Sequence, residues 1–329
     1  MTTPPLELIN CSSDSIVSYC PVSAVVAVND SQSIVPLCNG WIIYGDCVRN
    51  SVIVRNIITW QTAFEIQLNA KPERMAYDRS TGILYVTLTG STSIAKADLL
   101  SRSVHYLPVG GIYNYITLGD NQTVFLSSYY SNQAPNRVLV VDGSTGNTIT
   151  STGNYYDGGE IAFDRISSNL FIGVTGLSPA TLYKYAYDPL LKTLSQVENS
   201  RDLGSNAQDL MLSPDCAHLL FSTGGGNGGA YSLYDVSTAG LTTSFGSWPV
   251  GAYPTSAAFS PSGQQIVASN SSNVMLFDAI NHTLIKTLPD NAASIGDFRF
   301  TRFSGGGRIV YALYRDDYYG NYSIHWWVN

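Results

Sequence analysis

The chain is short of charge: only 12% of its 329 residues are Asp, Glu, Lys or Arg, about half the share usual in soluble proteins. Basic residues are scarcer still, 17 against 24 acidic ones. No basic stripe is therefore available to neutralise phosphates, and nucleic acid is excluded as a partner. No run of about 18 apolar residues occurs, which excludes a membrane-spanning helix. Pairs of the CxxC type, HExxH, Gly-x-Ser-x-Gly and sialidase-type Asp boxes are all missing, so no zinc site, redox motif or nucleophile elbow is expected. The glycine run Gly224–Gly229 lacks the Lys and following helix that phosphate binding needs, and is expected to be a loop between strands. No cofactor and no metal are expected.

What remains is rich in apolar and small polar residues. A hydrophobic fraction of 44% supports a sizeable core. Tyr, Ser, Thr, Asn and Gly abound, a balance that resembles secreted and surface proteins, including those of thermoacidophilic archaea and their viruses. Four of the five cysteines, Cys11, Cys20, Cys38 and Cys47, fall in the first 47 residues. Spacings of nine suit short-loop disulfides, Cys11 with Cys20 and Cys38 with Cys47, although four thiols allow three pairings and buried free thiols fit as well. Cys216 is left odd. Sequons at Asn10, Asn29, Asn121, Asn270, Asn281 and Asn321 permit glycosylation. Met1-Thr2-Thr3-Pro4-Pro5 lacks the layout of a signal peptide, so a leader was removed or the protein is released by another route. The expected location is extracellular, on a cell or virion surface.

A repeat of 40 to 50 residues runs through the chain, the period expected of a β-propeller blade. An apolar strand, a turn and a second apolar strand recur, as in Met75-Ala76-Tyr77-Asp78 then Ile83-Leu84-Tyr85-Val86, and Ala257-Ala258-Phe259-Ser260 then Ile266-Val267-Ala268. Taking Tyr77, Leu118, Phe163, Leu212, Phe259 and Phe300 as equivalent gives steps of 41, 45, 49, 47 and 41 by subtraction. A more divergent copy at about 23–69 makes seven. The expected architecture is all-β: one domain over 1–329, a seven-bladed propeller of four-stranded antiparallel blades. Blades are placed near 15–70, 71–112, 113–157, 158–206, 207–253, 254–294 and 295–329. The last copy stops at its third strand, and the N-terminal strand at 5–12, carrying Leu6-Glu7-Leu8-Ile9, is expected to close it and remove the open edges. Third strands end in Asp98, Asp142, Asp188, Asp235 and Asp278, expected to cap the turn into the fourth strand.

These features resemble the YVTN-type and lactonase-like seven-bladed propellers. The resemblance rests on Leu84-Tyr85-Val86-Thr87, on the turns beginning at Ser213 and Ser260, and on the Tyr-Asp and Phe-Asp strand ends, and is best over about 70–290. It implies the fold and little more, since the group includes surface proteins, binding proteins and a sugar-lactone hydrolase.

Two constellations follow from the topology. Three residues before each anchor lies a channel ring of Arg74, Tyr115, Glu160, Asp209, Ser256 and Asp297, whose carboxylates could hold a cation or polar ligand or simply border a solvated mouth. Loops expected on one face carry Tyr113, Tyr129, Tyr130, Tyr155, Tyr156, Tyr253, Tyr318 and Tyr319, a mixture of flat apolar area and hydrogen-bonding groups that suits a glycan or a surface protein. The leading expectation is a non-enzymatic binding or scaffold propeller. The alternative is a lactonase- or glycosidase-like hydrolase using Glu160, Asp209 and Asp297. With so few ionisable groups, stability should couple weakly to pH, and the fold is expected to survive acidification from about pH 5 to about pH 3. A sharp loss of far-ultraviolet circular dichroism within that interval contradicts this.

Overall fold

The computed structural model describes residues 23–128, 137–153, 159–174, 179–200, 203–224, 231–289, 296–316 and 321–329. They contain 28 strands and no helix. The strands form seven four-stranded antiparallel sheets, six of them wound from innermost to outermost strand in chain order. Six sheets are continuous in sequence, over 34–67, 72–108, 115–151, 159–200, 207–248 and 254–288. The seventh takes three strands from 296–328 and its outermost strand from Ser23–Val28.

The closing strand pairs with Tyr322–Val328 in unbroken antiparallel register, Ala24 opposite Trp326 and Val28 opposite Tyr322. The N-terminal region therefore closes the propeller, but through 23–28 instead of the expected 5–12, which lies outside the described residues. Ser23–Val28 belongs to the seventh blade and not, as the repeat spacing predicts, to the first. That blade starts later, at Ile34–Pro36, because Asp30 and the buried Ser31 and Ser33 already form the crossing into the channel.

Seven apolar clusters hold the blades together, one for each neighbouring pair. Second strands carry much of this load, since nearly every residue of Ile83–Leu88 or His218–Thr223 is buried between adjacent sheets. Fourth strands face water on at least one side, as in the exposed run of Thr283–Leu288. Sheets approach closely where glycine permits: a Cβ on Gly173 would stand 2.5 Å from the Phe221 ring. The cluster joining the last blade to the first sets Tyr311, Ile324 and Trp326 against Ile42, Tyr44 and Ile53, so the ring is closed by packing as well as by strand pairing.

The third-strand aspartates cap turns at four of five positions. In Asp98, Asp142, Asp188 and Asp278 one carboxylate oxygen accepts the N–H groups two and three residues on. Asp235 departs from the rule: it is buried, accepts from Trp248 Nε1 and pairs with His218 Nδ1 at 2.8 Å. Cys47 is a free thiol, so the Cys38–Cys47 disulfide is corrected, whereas Cys38 itself is not free. Cys11 and Cys20 lie outside the described residues. Burial pushes the Cys47 thiol up to about 12, and burial with the nearby Asp164 pushes Cys216 up to about 11, so neither is an activated nucleophile.

Removal of residues 1–28 should expose the edge of Tyr322–Val328 and part of the Tyr311–Trp326 cluster. Thermal unfolding is expected to drop by roughly 10 °C or more, at ~2–4 °C per kcal/mol for a domain of this size, with association visible by size-exclusion chromatography. An unchanged transition contradicts the closing role of this strand.

Candidate functional site

The innermost strands surround an axial channel that is wide on one side and narrow on the other. The wide part is a funnel of about 700 Å³. Its walls come from the middle and C-terminal parts of the innermost strands, with Met75, Tyr77, Ile116, Phe163, Leu212 and Phe259 among them. It opens beside the turns joining first to second strands, where Arg79, Pro261 and Gly305 stand. The narrow part, about 100 Å³, lies at the N-terminal ends of the same strands and is bordered by Gln32, Gln208, Thr255, Asp297 and Arg299. The funnel therefore faces away from the side on which the tyrosine-rich loops were expected.

Arg74, Asp209 and Phe300 border both cavities and form the floor between them. Arg74 Nη2 reaches across the channel, donating to Glu160 Oε1 at 2.8 Å. Its guanidinium lies 4.0 Å from the Phe300 ring centroid and 5.3 Å from that of Tyr115. Arg302, from the seventh blade, grips Asp209 at 3.0 and 3.3 Å through two nitrogens. Asp209 also accepts from Ser256 Oγ at 2.5 Å and from the N–H groups of Leu210 and Ala257. This second pair is a saturated clasp tying the fifth, sixth and seventh blades, and has no oxygen left for chemistry or a metal.

Backbone irregularity aims these side chains. Register slips occur in the innermost strands at Pro72/Met75, Ala207/Asp209, Pro254/Ser256 and Arg299/Arg302, each inserting a residue at channel level. In the seventh blade the inserted segment holds Phe300 at φ 51°. This slip corrects the ring. The seventh anchor is Phe303, because Ser304 N–H bonds the Ile309 carbonyl as Ser213 bonds His218 and Ser260 bonds Gln265. Counting back three residues gives Phe300, and the matching position in the first blade is Ser33. Asp297 instead pairs with Arg299 at 3.0 Å in the narrow cavity. Arg74, Asp209, Ser256 and Asp297 of the expected ring border the narrow cavity together, whereas Glu160 lines the funnel, and among the described residues no three His, Cys, Asp or Glu side chains are grouped to hold a metal. Arg302, which sequence counting missed, replaces Asp297 at the floor.

The tyrosine constellation is only partly placed. Tyr113 is buried among Ile94, Leu107 and Val109 and offers no binding face. Tyr253 is 55% exposed and its ring lies 5.2 Å from that of Tyr231. Tyr129, Tyr130, Tyr155, Tyr156, Tyr318 and Tyr319 lie outside the described residues, as does most of the Gly224–Gly229 run. The histidines are dispersed: His218 pairs with Asp235, His282 stacks on Trp248, His325 is buried beside Phe298, and His105 is exposed.

No protein-family model matches the chain, and no curated protein matches it. Among solved structures it is similar to the hydrazine synthase of Kuenenia stuttgartiensis, with a TM-score of 0.69 and 15% identity over 87% of this chain and 92% of that one. At that identity the likeness is one of fold.

Burial pushes the Glu160 carboxyl up to about 7 from its ordinary 4.5, outweighing the opposite pull of Arg74, while the Asp209 charge adds to the rise. Native Glu160 then binds its proton at a higher pH than the unfolded chain does, so stability falls as pH rises from about 4.5 to about 7. Glu73, raised by burial, acts in the same sense. Asp142, Asp215 and Asp278 are held below their ordinary 3.8, chiefly by hydrogen bonds from Ser144, Ser213 and Asn281 respectively. Their contribution is full above that value and is lost only as pH falls through the lowered one. The melting temperature is therefore expected to rise by a few degrees on going from about pH 8 to about pH 5, and Glu160→Gln should flatten most of that slope. A melting temperature that falls over this interval contradicts the assignment.

Proposed function

We propose that this chain is a non-enzymatic binding propeller whose ligand enters the funnel on the face formed by the first-to-second and third-to-fourth strand turns. The observation that carries this reading is a preformed concavity within the usual range of about 300–1,000 Å³ for ligand pockets, with mostly apolar walls, charged groups gathered at its floor and Arg79 at its mouth. An apolar wall supplies affinity and the few floor groups supply orientation. Saturation of Asp209, and the place of Asp297 outside the funnel and paired with Arg299, speak against a carboxylate mechanism at this site. The exposed Tyr231–Tyr253 pair on the other side supports at most an auxiliary contact with a glycan or protein.

The proposal includes a location outside the cytoplasm. Cys38 that is not a free thiol and exposed sequon asparagines at Asn29, Asn121, Asn281 and Asn321 support it, although Asn270 is buried and donates its amide to the Val250 carbonyl. Membership of the YVTN-type group is likewise part of the proposal, supported by the shared seven-bladed fold and by the turns at Ser213 and Ser260.

Ala76 lines the funnel wall, so Ala76→Trp should narrow the funnel without disturbing the floor. In a fragment screen followed by ligand-observed NMR, hits for the native protein are expected to lose binding in Ala76→Trp and keep it in Tyr231→Ala/Tyr253→Ala. The reverse pattern moves the site to the opposite face and overturns the reading.

A further inference from the structure

Resting on the funnel as the binding site, we propose that its ligand class is a monocarboxylate with an apolar body, held by Arg74 at the floor and accompanied into the site by one proton, which Glu160 takes up. The two floor arginines differ in what they have left to give. Arg302 commits both terminal nitrogens to Asp209, Ser256 Oγ and the carbonyls of Ala257 and Thr301. Arg74 commits one nitrogen, Nη2, to one oxygen of Glu160. Among the described residues its other guanidinium nitrogens have no acceptor, and Oε2 of Glu160 has no donor. With Phe300 and Tyr115 packed against it, the Arg74 guanidinium is held in place for a planar acceptor, and a carboxylate matches its fork.

Charge balance selects the proton. The floor holds two arginines and two carboxylates, which balance when Glu160 is ionised. A carboxylate entering this confined space adds one negative charge beside Glu160. The groups facing Glu160 are Arg74 from the second blade, Tyr115 from the third, Asp209 from the fifth, and Phe300 with Arg302 from the seventh. Glu73 is turned to Asn114, and Asp297 is paired with Arg299 in the narrow cavity. Both oxygens of Asp209 are already occupied by Arg302, Ser256 and two backbone amides. Glu160 has a free oxygen, and burial already favours its neutral form. Protonated, it donates from Oε2 to one ligand oxygen while Arg74 donates to the other. No bond other than the transferred O–H is made, and the proton comes from water.

Phenylbutyrate and its uncharged analogue phenylbutanol serve as probes, titrated calorimetrically in two buffers of different ionisation enthalpy. Phenylbutyrate affinity is expected to be flat on the acid side of about pH 6.5 and to fall about tenfold per pH unit above about pH 7, with uptake approaching one proton per ligand at about pH 8. Arg74→Gln should weaken phenylbutyrate at least about tenfold and leave phenylbutanol unchanged, whereas Glu160→Gln should bind phenylbutyrate with no pH dependence across this range. Equal affinity for the two probes in the native protein, or binding without proton uptake at about pH 8, overturns the carboxylate inference and leaves the funnel reading standing. Failure of both probes and of every fragment to respond to Ala76→Trp removes the funnel reading as well. The buffer comparison on the native chain decides the matter even if a variant does not fold.

Discussion

The pairing of Ser23–Val28 with Tyr322–Val328 is the constraint on which the rest of the molecule depends. Each of the other six blades is built from one stretch of chain and brings its own four strands. Only the seventh joins opposite ends of the polypeptide, and its apolar contact with the first blade is the last of seven such seams. A propeller blade cannot bury both faces alone, so each seam needs both neighbours. Opening one seam would leave Trp326, Tyr311 and Ile42 partly wet and present two unpaired edges.

Closure also fixes the floor of the channel. Arg74 meets Glu160, and Arg302 meets Asp209, each from two blades away, so both ion pairs depend on how neighbouring blades are set around the axis. These pairs are of different kinds. Asp209 is surrounded by donors and holds three blades in register, a stabilising role that uses all its capacity. Arg74 and Glu160 are joined by a single hydrogen bond in a site open to the funnel, and each keeps an atom facing the cavity. Taking charges out of water without completing their hydrogen bonds costs stability.

Much of this was legible in the residues. Apolar strand pairs separated by turns gave seven blades, and the aspartates at strand ends marked the turns, because a carboxylate two residues before an exposed N–H has few better uses. Strand identity at the N-terminus was not legible: Leu6-Glu7-Leu8-Ile9 and Ser23–Val28 both read as strands, and alternation does not say which of them reaches the last blade. The seventh copy was misregistered because Arg299-Phe300 and Arg302-Phe303 repeat the same pair, and the inserted residue between them leaves no trace in hydrophobicity. The signal that distinguishes them was present, since Ser304 follows Phe303 as Ser213 follows Leu212 and Ser260 follows Phe259. Asp235 looked like its equivalents and is buried instead, because Trp248 and His218 surround it. Which end of the channel widens depends on strand tilt and on the sizes of side chains meeting from several blades, and no single stretch of sequence contains that information.

A cross-link across the closing pair addresses the central claim most directly. Ala27 and Ser323 stand opposite each other in the closing register, so Ala27→Cys with Ser323→Cys is expected to oxidise to an intramolecular disulfide in the folded protein, leaving it monomeric and raising its resistance to unfolding. Absence of that bond under mild oxidation, or its formation only between molecules, would mean that the ring is closed by another segment and that the floor built on it is wrongly drawn.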